Sequence, residues 1–392
     1  MHELLADDIP AGLDLSELLQ SPLRDPKVRF RDLAVSDPAL RRRLLAAVDE
    51  VLRDGRLLMG PAVERFERVI ADYCGARYCI GVSSGTDAVF LALRGFGIGA
   101  GDEVIVPALS WVATANAVAV TGAVPVFVDV GEDLNIDPGQ IETAITPRTR
   151  AIVPVHYTGR LYDTSAVQAV ATRHGLRVIE DAAQAFGASI DGRRAGGFGD
   201  AAGFSLNPMK IFPGYGEVGA VLMNDAAIER RIKSLRYLGT INKEVCIEPS
   251  LNFKVDTLQA AMMLVSFDQL DPGIERRLVI ATRYTQALEE FVRCPQAPAT
   301  PDDRTCVYFD YTIVTPRRAE LRRFLEGHGI EVKIRHPLLL PDHPCYRHLD
   351  RPPLPVAERL VKQILSLPIH EKLTDSQVEY VIDCVTEFFR SG

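Results

Sequence analysis

Short apolar runs alternate with amphipathic stretches between about residues 78 and 225 of this chain of 392 residues. Each run is four to seven residues long, as buried strands are, and the stretches between them repeat apolar residues at helical spacing. Such alternation is typical of βαβ units, whose strands are parallel. The pattern therefore predicts a mostly parallel sheet with helices on both faces and seven strands, at residues 79–82, 103–108, 124–130, 151–155, 176–181, 202–206 and 220–223.

Further helical patterns flank this segment. Two amphipathic helices are predicted before it, at residues 38–55 and 61–75, and residues 255–292 are interpreted as two long helices joined at Asp271-Pro272-Gly273. The last third of the chain then alternates strands with helices in an α+β pattern. Its predicted elements are strands at residues 308–314 and 331–336 and helices at residues 319–329, 356–366 and 375–389.

The length and this change of pattern predict two domains. A chain of 392 residues exceeds the usual size of one domain. We therefore assign residues 28–280 to a large α/β domain and residues 281–392 to a smaller α+β domain. Residues 1–27 contain one short helical signal, at residues 13–20, and are left unassigned.

Charge and composition argue against several classes of protein. A net charge of −8 disfavours a nucleic-acid or membrane-surface partner, because either needs a basic patch. The seven cysteines form no CxxC pair and the eight histidines lack the spacing of a metal site, so we expect reduced thiols and no metal. The N-terminal sequence is acidic where a signal peptide is basic, and no apolar run is long enough to span a membrane. These observations predict a cytoplasmic enzyme.

The first group of candidate residues is Ser83-Ser84-Gly85-Thr86, which follows the strand at residues 79–82 and opens a helix. Backbone N–H groups at a helix N-terminus, together with a hydroxyl group, can bind a phosphate. The alternative is an ordinary turn in which a serine or threonine caps the helix.

The second group is Glu180-Asp181-Ala182-Ala183-Gln184, at the carboxyl end of the strand at residues 176–181. Ligands of open α/β sheets bind at this end of the strands. A carboxylate there can keep a pyridine nitrogen protonated, which makes the ring an electron sink. The alternative is a helix cap in which Asp181 and Gln184 form a capping box.

The third group is the segment from Ser205 to Lys210, which follows the strand at residues 202–206 and precedes Gly214-Tyr215-Gly216-Glu217. A partly desolvated lysine amine suits Schiff-base formation. The alternative is a solvated surface lysine. Apolar neighbours argue against that alternative: Phe204, Leu206, Met209, Ile211 and Phe212.

These groups occur in an ordered set of motifs between about residues 30 and 389. The set includes VSSGTDAVFLAL, GDEVIVPALSWVATANAV, EDAAQAFGA, GDAAGFSLNPMK, LNFKVDTLQAA and LSLPIH. Through them the chain resembles the DegT/DnrJ/EryC1/StrS sugar aminotransferases, which have fold type I of the enzymes that use pyridoxal 5′-phosphate (PLP). The resemblance implies a PLP-dependent transaminase with a mostly parallel seven-stranded sheet and a smaller C-terminal α+β domain.

Four residues match family positions that hold the phosphate of PLP. The resemblance implies that Gly85 and Thr86 bind the phosphate and that Ser205 adds its hydroxyl group. Asn252 matches an asparagine that the neighbouring subunit supplies, which implies a homodimer with shared active sites.

Four further residues match positions around the PLP ring. The resemblance implies that Trp111 stacks on the ring, that Asp181 pairs with the pyridinium nitrogen and that Gln184 faces the ring hydroxyl. Lys210 matches the lysine that carries the cofactor. Lys210 and Asp181 are therefore the predicted catalytic residues.

The resemblance also implies a reaction. An amino donor, which we take to be L-glutamate, leaves its amino group on the cofactor as pyridoxamine 5′-phosphate (PMP), and a nucleotide-linked keto-sugar then accepts it. A cyclitol ketone or a keto-sugar acid is the alternative acceptor. A sugar dehydratase is less favoured because such relatives replace the lysine with histidine, and a non-catalytic PLP-binding regulator is disfavoured by the intact Lys210, Asp181 and Thr86. This sequence departs from the usual family pattern at residues 156–159, 216–219 and 333–337, and we assign these three stretches to the substrate pocket.

Overall fold

The computed structural model describes residue 20, residues 22–300 and residues 303–391, so the helical signal at residues 13–20 lies outside the described residues except for Gln20. The described α-helices are α1 (Pro38–Asp54), α2 (Pro61–Cys74), α3 (Gly85–Gly95), α4 (Val112–Ala119), α5 (Pro138–Ile141), α6 (Thr164–His174), α7 (Ala226–Arg236), α8 (Thr257–Ser266), α9 (Leu270–Leu288), α10 (Arg318–Gly327), α11 (Pro355–Leu360) and α12 (Asp375–Arg390). The described strands are β1 (Tyr78–Val82), β2 (Glu103–Pro107), β3 (Val124–Val128), β4 (Thr149–Ile152), β5 (Arg177–Asp181), β6 (Ser189–Ile190), β7 (Arg193–Arg194), β8 (Ala201–Ser205), β9 (Gly219–Met223), β10 (Thr240–Ile241), β11 (Val245–Cys246), β12 (Tyr311–Val314) and β13 (Ile364–Leu367).

Seven of these strands form one sheet in the order β1-β9-β8-β5-β4-β2-β3. Strand β9 is antiparallel to both of its neighbours, whereas the pairs from β8 to β3 are parallel. Each predicted run overlaps one of the seven strands, and the predicted fold class is confirmed. Strands β2, β8 and β9 are buried along their whole length because helices cover both faces of the sheet.

Alternate residues of the central strands pack into two different cores. Phe204 of β8 and Leu222 of β9 lie in one apolar cluster with Phe66 of α2. Val221 of β9 lies in the other cluster with Val89 of α3. Successive side chains of a strand point to opposite faces, so this division places α2 and α3 on opposite sides of the sheet.

The carboxyl ends of β1, β2, β5 and β8 lie at one edge of the sheet, since these strands run in the same direction. These ends and the loops that leave them carry the predicted site residues other than Asn252. Open α/β sheets bind ligands at this edge. The topology therefore places four separate segments of sequence around one site.

The junction between the two long helices differs from the sequence prediction. Helix α8 ends at Ser266, one 3₁₀ turn spans Phe267–Gln269, and α9 begins at Leu270. The predicted joint at Asp271-Pro272-Gly273 was therefore placed too late. Pro272 lies in the first turn of α9, where its missing N–H group removes no intrahelical hydrogen bond.

The C-terminal region contains a second difference. The helix predicted at residues 356–366 ends at Leu360, and Ile364–Leu367 instead forms β13, antiparallel to β12. A short, fully buried apolar run fits a strand as well as a helix, so its spacing could not decide between them. The strand predicted at residues 331–336 is also wrong, since Lys333 makes only an isolated bridge to Ser366.

The predicted boundary at residue 280 falls inside helix α9, which continues to Leu288. Its Ile280 and Ala281 are buried in the same cluster as Phe204 of the sheet and Tyr311 of β12. The division into residues 28–280 and 281–392 remains a prediction. Among the helices that the structure describes, none combines the length and the apolar character needed to cross a membrane.

Candidate active site

The loop after β1 forms a tight helix start. The Ser84 hydroxyl accepts a hydrogen bond from the Asp87 N–H at 3.1 Å and so caps α3. A Cβ atom added to Gly85 would overlap with Ser205, because the end of β8 packs directly on this turn. The structure thus brings Gly85, Thr86 and Ser205 together at a helix N-terminus, where N–H groups can face an anion. Because Ser84 caps the helix, Gly85, Thr86 and Ser205 are the residues that remain available to bind a phosphate.

Asp181 is buried at the carboxyl end of β5. Its Oδ2 accepts a hydrogen bond from the Thr114 hydroxyl at 2.7 Å, and Thr114 in turn lies 2.9 Å from the Ser110 hydroxyl. Residues 182–188 form turns and no α-helix, so the alternative of a capping box at Asp181 and Gln184 is wrong. The carboxylate is instead held in one orientation by the first turn of α4.

Lys210 lies in a turn that the local sequence favours. The Asn207 side chain accepts from the Met209 N–H at 3.0 Å, and the Lys210 N–H donates to the Asn207 carbonyl at 3.0 Å. Asparagine and proline at the first two positions, Asn207 and Pro208, are typical of such a turn. The turn directs the lysine back towards the edge of the sheet that carries Asp181.

The Lys210 amine has a lowered pKa. Burial lowers its pKa from 10.5 to about 8, while the negative charge of Asp181 opposes this fall. The positive charge of Arg335 lowers the pKa further. Lys210 is therefore a nucleophilic amine at near-neutral pH and not a solvated surface lysine.

Trp111 and Gln184 also lie at this edge. Trp111 is the N-cap residue of α4 and is 58% exposed, and its ring lies 5.4 Å from that of His336. An exposed indole at this edge of the sheet is suited to stacking on a planar ligand. The Gln184 Oε1 accepts from the Thr158 N–H at 2.8 Å, which leaves its amide NH₂ group as a donor.

Asn252 is exposed and lies in a bridge with Tyr237. Its Oδ1 accepts a hydrogen bond from the Lys254 N–H at 3.4 Å. The adjacent Phe253 carbonyl accepts from the Ser83 N–H at 2.9 Å, so this segment packs along the loop after β1 of its own chain. The role of Asn252 across a dimer remains a prediction.

Three non-glycine residues near the site have left-handed backbone conformations. Thr158, Tyr308 and His336 have φ angles of 58°, 48° and 48°. Such strain is common at functional sites. His336 contacts both Trp111 and Tyr157, and burial lowers its pKa to about 3, which leaves it neutral at pH 7.

Sequence reasoning gave no specific role to three charged residues beside Lys210, although it assigned residues 333–337 to the substrate pocket. Asp310, Arg31 and Arg335 all affect the pKa of Lys210 through their charge. The three residues are distant in sequence, so only the fold could bring them together. Within the described ranges, no three His, Cys, Asp or Glu side chains are grouped as metal ligands are.

Comparison with known proteins identifies the family. The sequence profile of the DegT/DnrJ/EryC1/StrS aminotransferase family matches residues 38–386. The chain belongs to this family. It is 41% identical over 374 residues to a dTDP-3-amino-3,4,6-trideoxy-alpha-D-glucose transaminase of Streptomyces venezuelae, a match that covers 94% of this chain and 98% of that one. It is also 41% identical over 345 residues to a protein of Geobacillus stearothermophilus named pleiotropic regulatory protein, with 87% and 93% covered.

A solved structure supports the cofactor of the family. NtdA from Bacillus subtilis, determined with bound PMP, superposes on this aminotransferase with a TM-score of 0.87 and is 30% identical, and the match covers 99% of this chain and 92% of NtdA. The residues found here fit PLP: Gly85 keeps a space that a side chain would fill, Asp181 is a buried carboxylate and Lys210 is an amine of lowered pKa. The chain is a PLP-dependent aminotransferase.

Proposed function

We propose that the chain transfers the amino group of L-glutamate to the ketone of a nucleotide-linked keto-sugar. This proposal rests on one observation: the Lys210 amine, whose pKa is lowered, lies in the same site as the buried carboxylate of Asp181. The Streptomyces relative supports the acceptor class, since it is named as a transaminase of a dTDP-linked amino sugar.

Each predicted catalytic residue has a distinct task. PLP, when bound, supplies an electron-poor ring that stabilises the charge left when a proton leaves the substrate carbon. Asp181, oriented by Thr114, holds a proton on the ring nitrogen. Lys210 Nζ takes the proton from the substrate carbon as a neutral amine and donates it as an ammonium group. A pKa of about 8 keeps both forms of Lys210 populated near neutral pH.

The remaining predicted residues bind and orient the cofactor. Gly85 and Thr86 at the start of α3, together with the Ser205 hydroxyl, hold the phosphate. Trp111 would stack on the ring, and the Gln184 NH₂ group would be available to the ring hydroxyl. These contacts would keep the ring within reach of Lys210 and Asp181, so that proton transfer occurs at one defined carbon.

We also propose that the enzyme is a homodimer in which Asn252 reaches the cofactor phosphate of the partner. Support comes from the hairpin β10–β11 and the residues around it, which expose large apolar side chains. A partner subunit would cover such a surface. The exposed apolar residues of this segment are Leu238, Ile241, Val245, Ile247 and Leu251.

A panel of acceptors tests the proposed substrate. The PMP-loaded enzyme is mixed with a nucleotide-linked keto-hexose, a cyclitol ketone or a keto-sugar acid, and return of the visible absorption of PLP is followed. We expect the nucleotide-linked ketone to react with the highest kcat/KM. A faster reaction with either other ketone would contradict the acceptor class, and failure of L-glutamate to convert the PLP form would favour a regulator, as the Geobacillus relative is named.

A further inference from the structure

Two arginines share one buried aspartate in the wall of the site. Asp310 lies just before β12 and its side chain is 2% exposed. Arg31 Nη2 lies 2.9 Å from Asp310 Oδ1, and Arg335 Nη2 donates to the same oxygen at 3.0 Å. The Arg31 side chain is 6% exposed and that of Arg335 is 23% exposed. Arg335 is therefore the member of this group that a ligand can reach.

This group and Lys210 share one aromatic neighbour, the Phe309 ring. The Phe309 ring centroid lies 4.8 Å from Lys210 Nζ, 5.2 Å from Arg31 Cζ and 5.4 Å from Arg335 Cζ. Next to Arg335 in sequence, His336 contacts the Trp111 ring. The segment with Arg335 therefore contacts both Trp111 and the Phe309 ring that Lys210 also contacts.

The charges in this wall do not balance. Arg31 and Arg335 carry two positive charges, and Asp310 carries one negative charge. The nearby Arg277 already has its own partner, since it pairs with Glu371 at 3.0 Å. Burial lowers the pKa of Arg31 to about 9, which reflects the cost of a desolvated cation. A buried network whose only role was structural would be expected to pair each charge.

We propose that Arg335, held by Asp310 and backed by Arg31, binds an oxyanion of a substrate that reacts at Lys210. A guanidinium group binds carboxylate and phosphate oxygens through two parallel hydrogen bonds. Either substrate can supply such a group: the amino donor has a carboxylate, and the sugar acceptor has a phosphate. The proposal deepens the proposed function and rests on it, because it assigns a subsite to one of the two substrates.

Binding of unreactive anions to the PLP-loaded enzyme tests this subsite without turnover. Isothermal titration is carried out with glutarate, which resembles the donor without its amino group, and with inorganic phosphate. Charged hydrogen bonds of this kind predict a rise in Kd of about 10- to 100-fold for one anion in Arg335→Gln. A rise for glutarate assigns the donor as the source, and a rise for phosphate assigns the acceptor.

Two other variants control for indirect effects. Arg304 is 22% exposed, close to the 23% of Arg335, and pairs with the more exposed Asp271, so Arg304→Gln removes a similarly exposed arginine and is expected to leave Kd unchanged. Arg335→Lys keeps the charge but loses the second hydrogen bond, so its Kd is expected to lie between those of the parent and Arg335→Gln. Thermal unfolding checks that each variant is folded.

The outcome that overturns the subsite is parental Kd values in folded Arg335→Gln and Arg335→Lys, or no binding of either anion to the parent. The proposed function is judged separately in the same parent preparation, from the loss of the visible absorption of PLP on addition of L-glutamate. The two failures are therefore distinguishable.

Discussion

The Lys210 amine, buried beside Asp181 and two arginines, has a pKa of about 8 instead of 10.5. Only a neutral amine can attack the aldehyde of PLP. We therefore expect the rate of PLP capture by the cofactor-free enzyme to rise with pH up to about 8 and then to level off. Stopped-flow absorption between pH 6 and 10 measures this rate. A rate that continues to rise towards pH 10 would show that the lysine has an ordinary pKa.

Asp181 accepts hydrogen bonds from the Thr114 hydroxyl group and from the Ala183 N–H, and loss of the first has a predictable effect. Thr114→Val removes the 2.7 Å hydrogen bond to Asp181, so we expect the glutamate half-reaction to slow by about 10-fold. Asp181→Asn removes the charge itself and should slow the reaction far more. Ser110→Ala, which leaves the Thr114 contact to Asp181 in place, is the matched control. Equal rates in the parent and Thr114→Val would show that Thr114 does not orient the carboxylate.

At the scale of single residues, the sequence makes Lys210 and Asp181 candidates because Asp181 ends one strongly apolar strand, Lys210 follows another after a short turn, and both match family positions. It could not predict that Arg31, Asp310 and Arg335 lie together beside Lys210, because they come from separate regions of the chain and meet only through tertiary packing. It also could not predict the left-handed backbone of His336, since only a small fraction of histidines adopt that conformation and the local sequence does not mark this one. Sequence reasoning therefore misses contacts that form only when the folded chain brings distant residues together.

Helix α3 and strand β8 approach each other so closely that their contact depends on glycine. Gly85→Ala places a methyl group against Ser205, and overpacking of this kind costs about 1–3 kcal/mol. We expect the variant to have weaker PLP affinity and a lower free energy of unfolding, measured by titration and by urea denaturation. Gly327→Ala lies at the end of α10 with no neighbour within 4 Å of the added carbon and should retain both properties. Parental PLP affinity in Gly85→Ala would contradict the proposed phosphate site.

The sheet and its helices followed from periodicity because its strands are buried apolar runs separated by amphipathic stretches. The same reasoning failed at Ile364–Leu367, where a short apolar run had no periodicity that could separate strand from helix. It also misplaced the joint before α9, since proline can lie within the first turn of a helix as well as before it. Pairing with β12 makes Ile364–Leu367 a strand. Pro272 fits within the first turn of α9, where its missing N–H group costs no intrahelical hydrogen bond.

For the whole molecule, the proposed dimer predicts complementation between two inactive variants. Lys210→Ala and a strongly impaired Asn252→Ala are mixed under conditions that allow subunit exchange. Each mixed dimer would contain one site with both lesions and one site with neither. Two-fold symmetry then predicts recovery of about a quarter of the parental activity.

A matched mixture controls for this result. Lys210→Ala mixed with Asp181→Asn should show no recovery beyond the residual rate of Asp181→Asn, because both residues belong to the site of one chain. Native mass spectrometry confirms that exchange has occurred. If the Asn252 mixture shows no recovery despite proven exchange, or if a monomer is fully active, the proposal of a shared active site is contradicted.

The central claim is that Lys210 and Asp181 carry an amino-group exchange on PLP. The most direct test is a single half-reaction of the PLP-loaded enzyme with L-glutamate, in which visible absorption and 2-oxoglutarate are measured together. We expect the absorption to disappear and one 2-oxoglutarate to form per site, with neither change in folded Lys210→Ala. Retention of the absorption with no 2-oxoglutarate in the parent, or product formation by Lys210→Ala at the parental rate, would contradict the account.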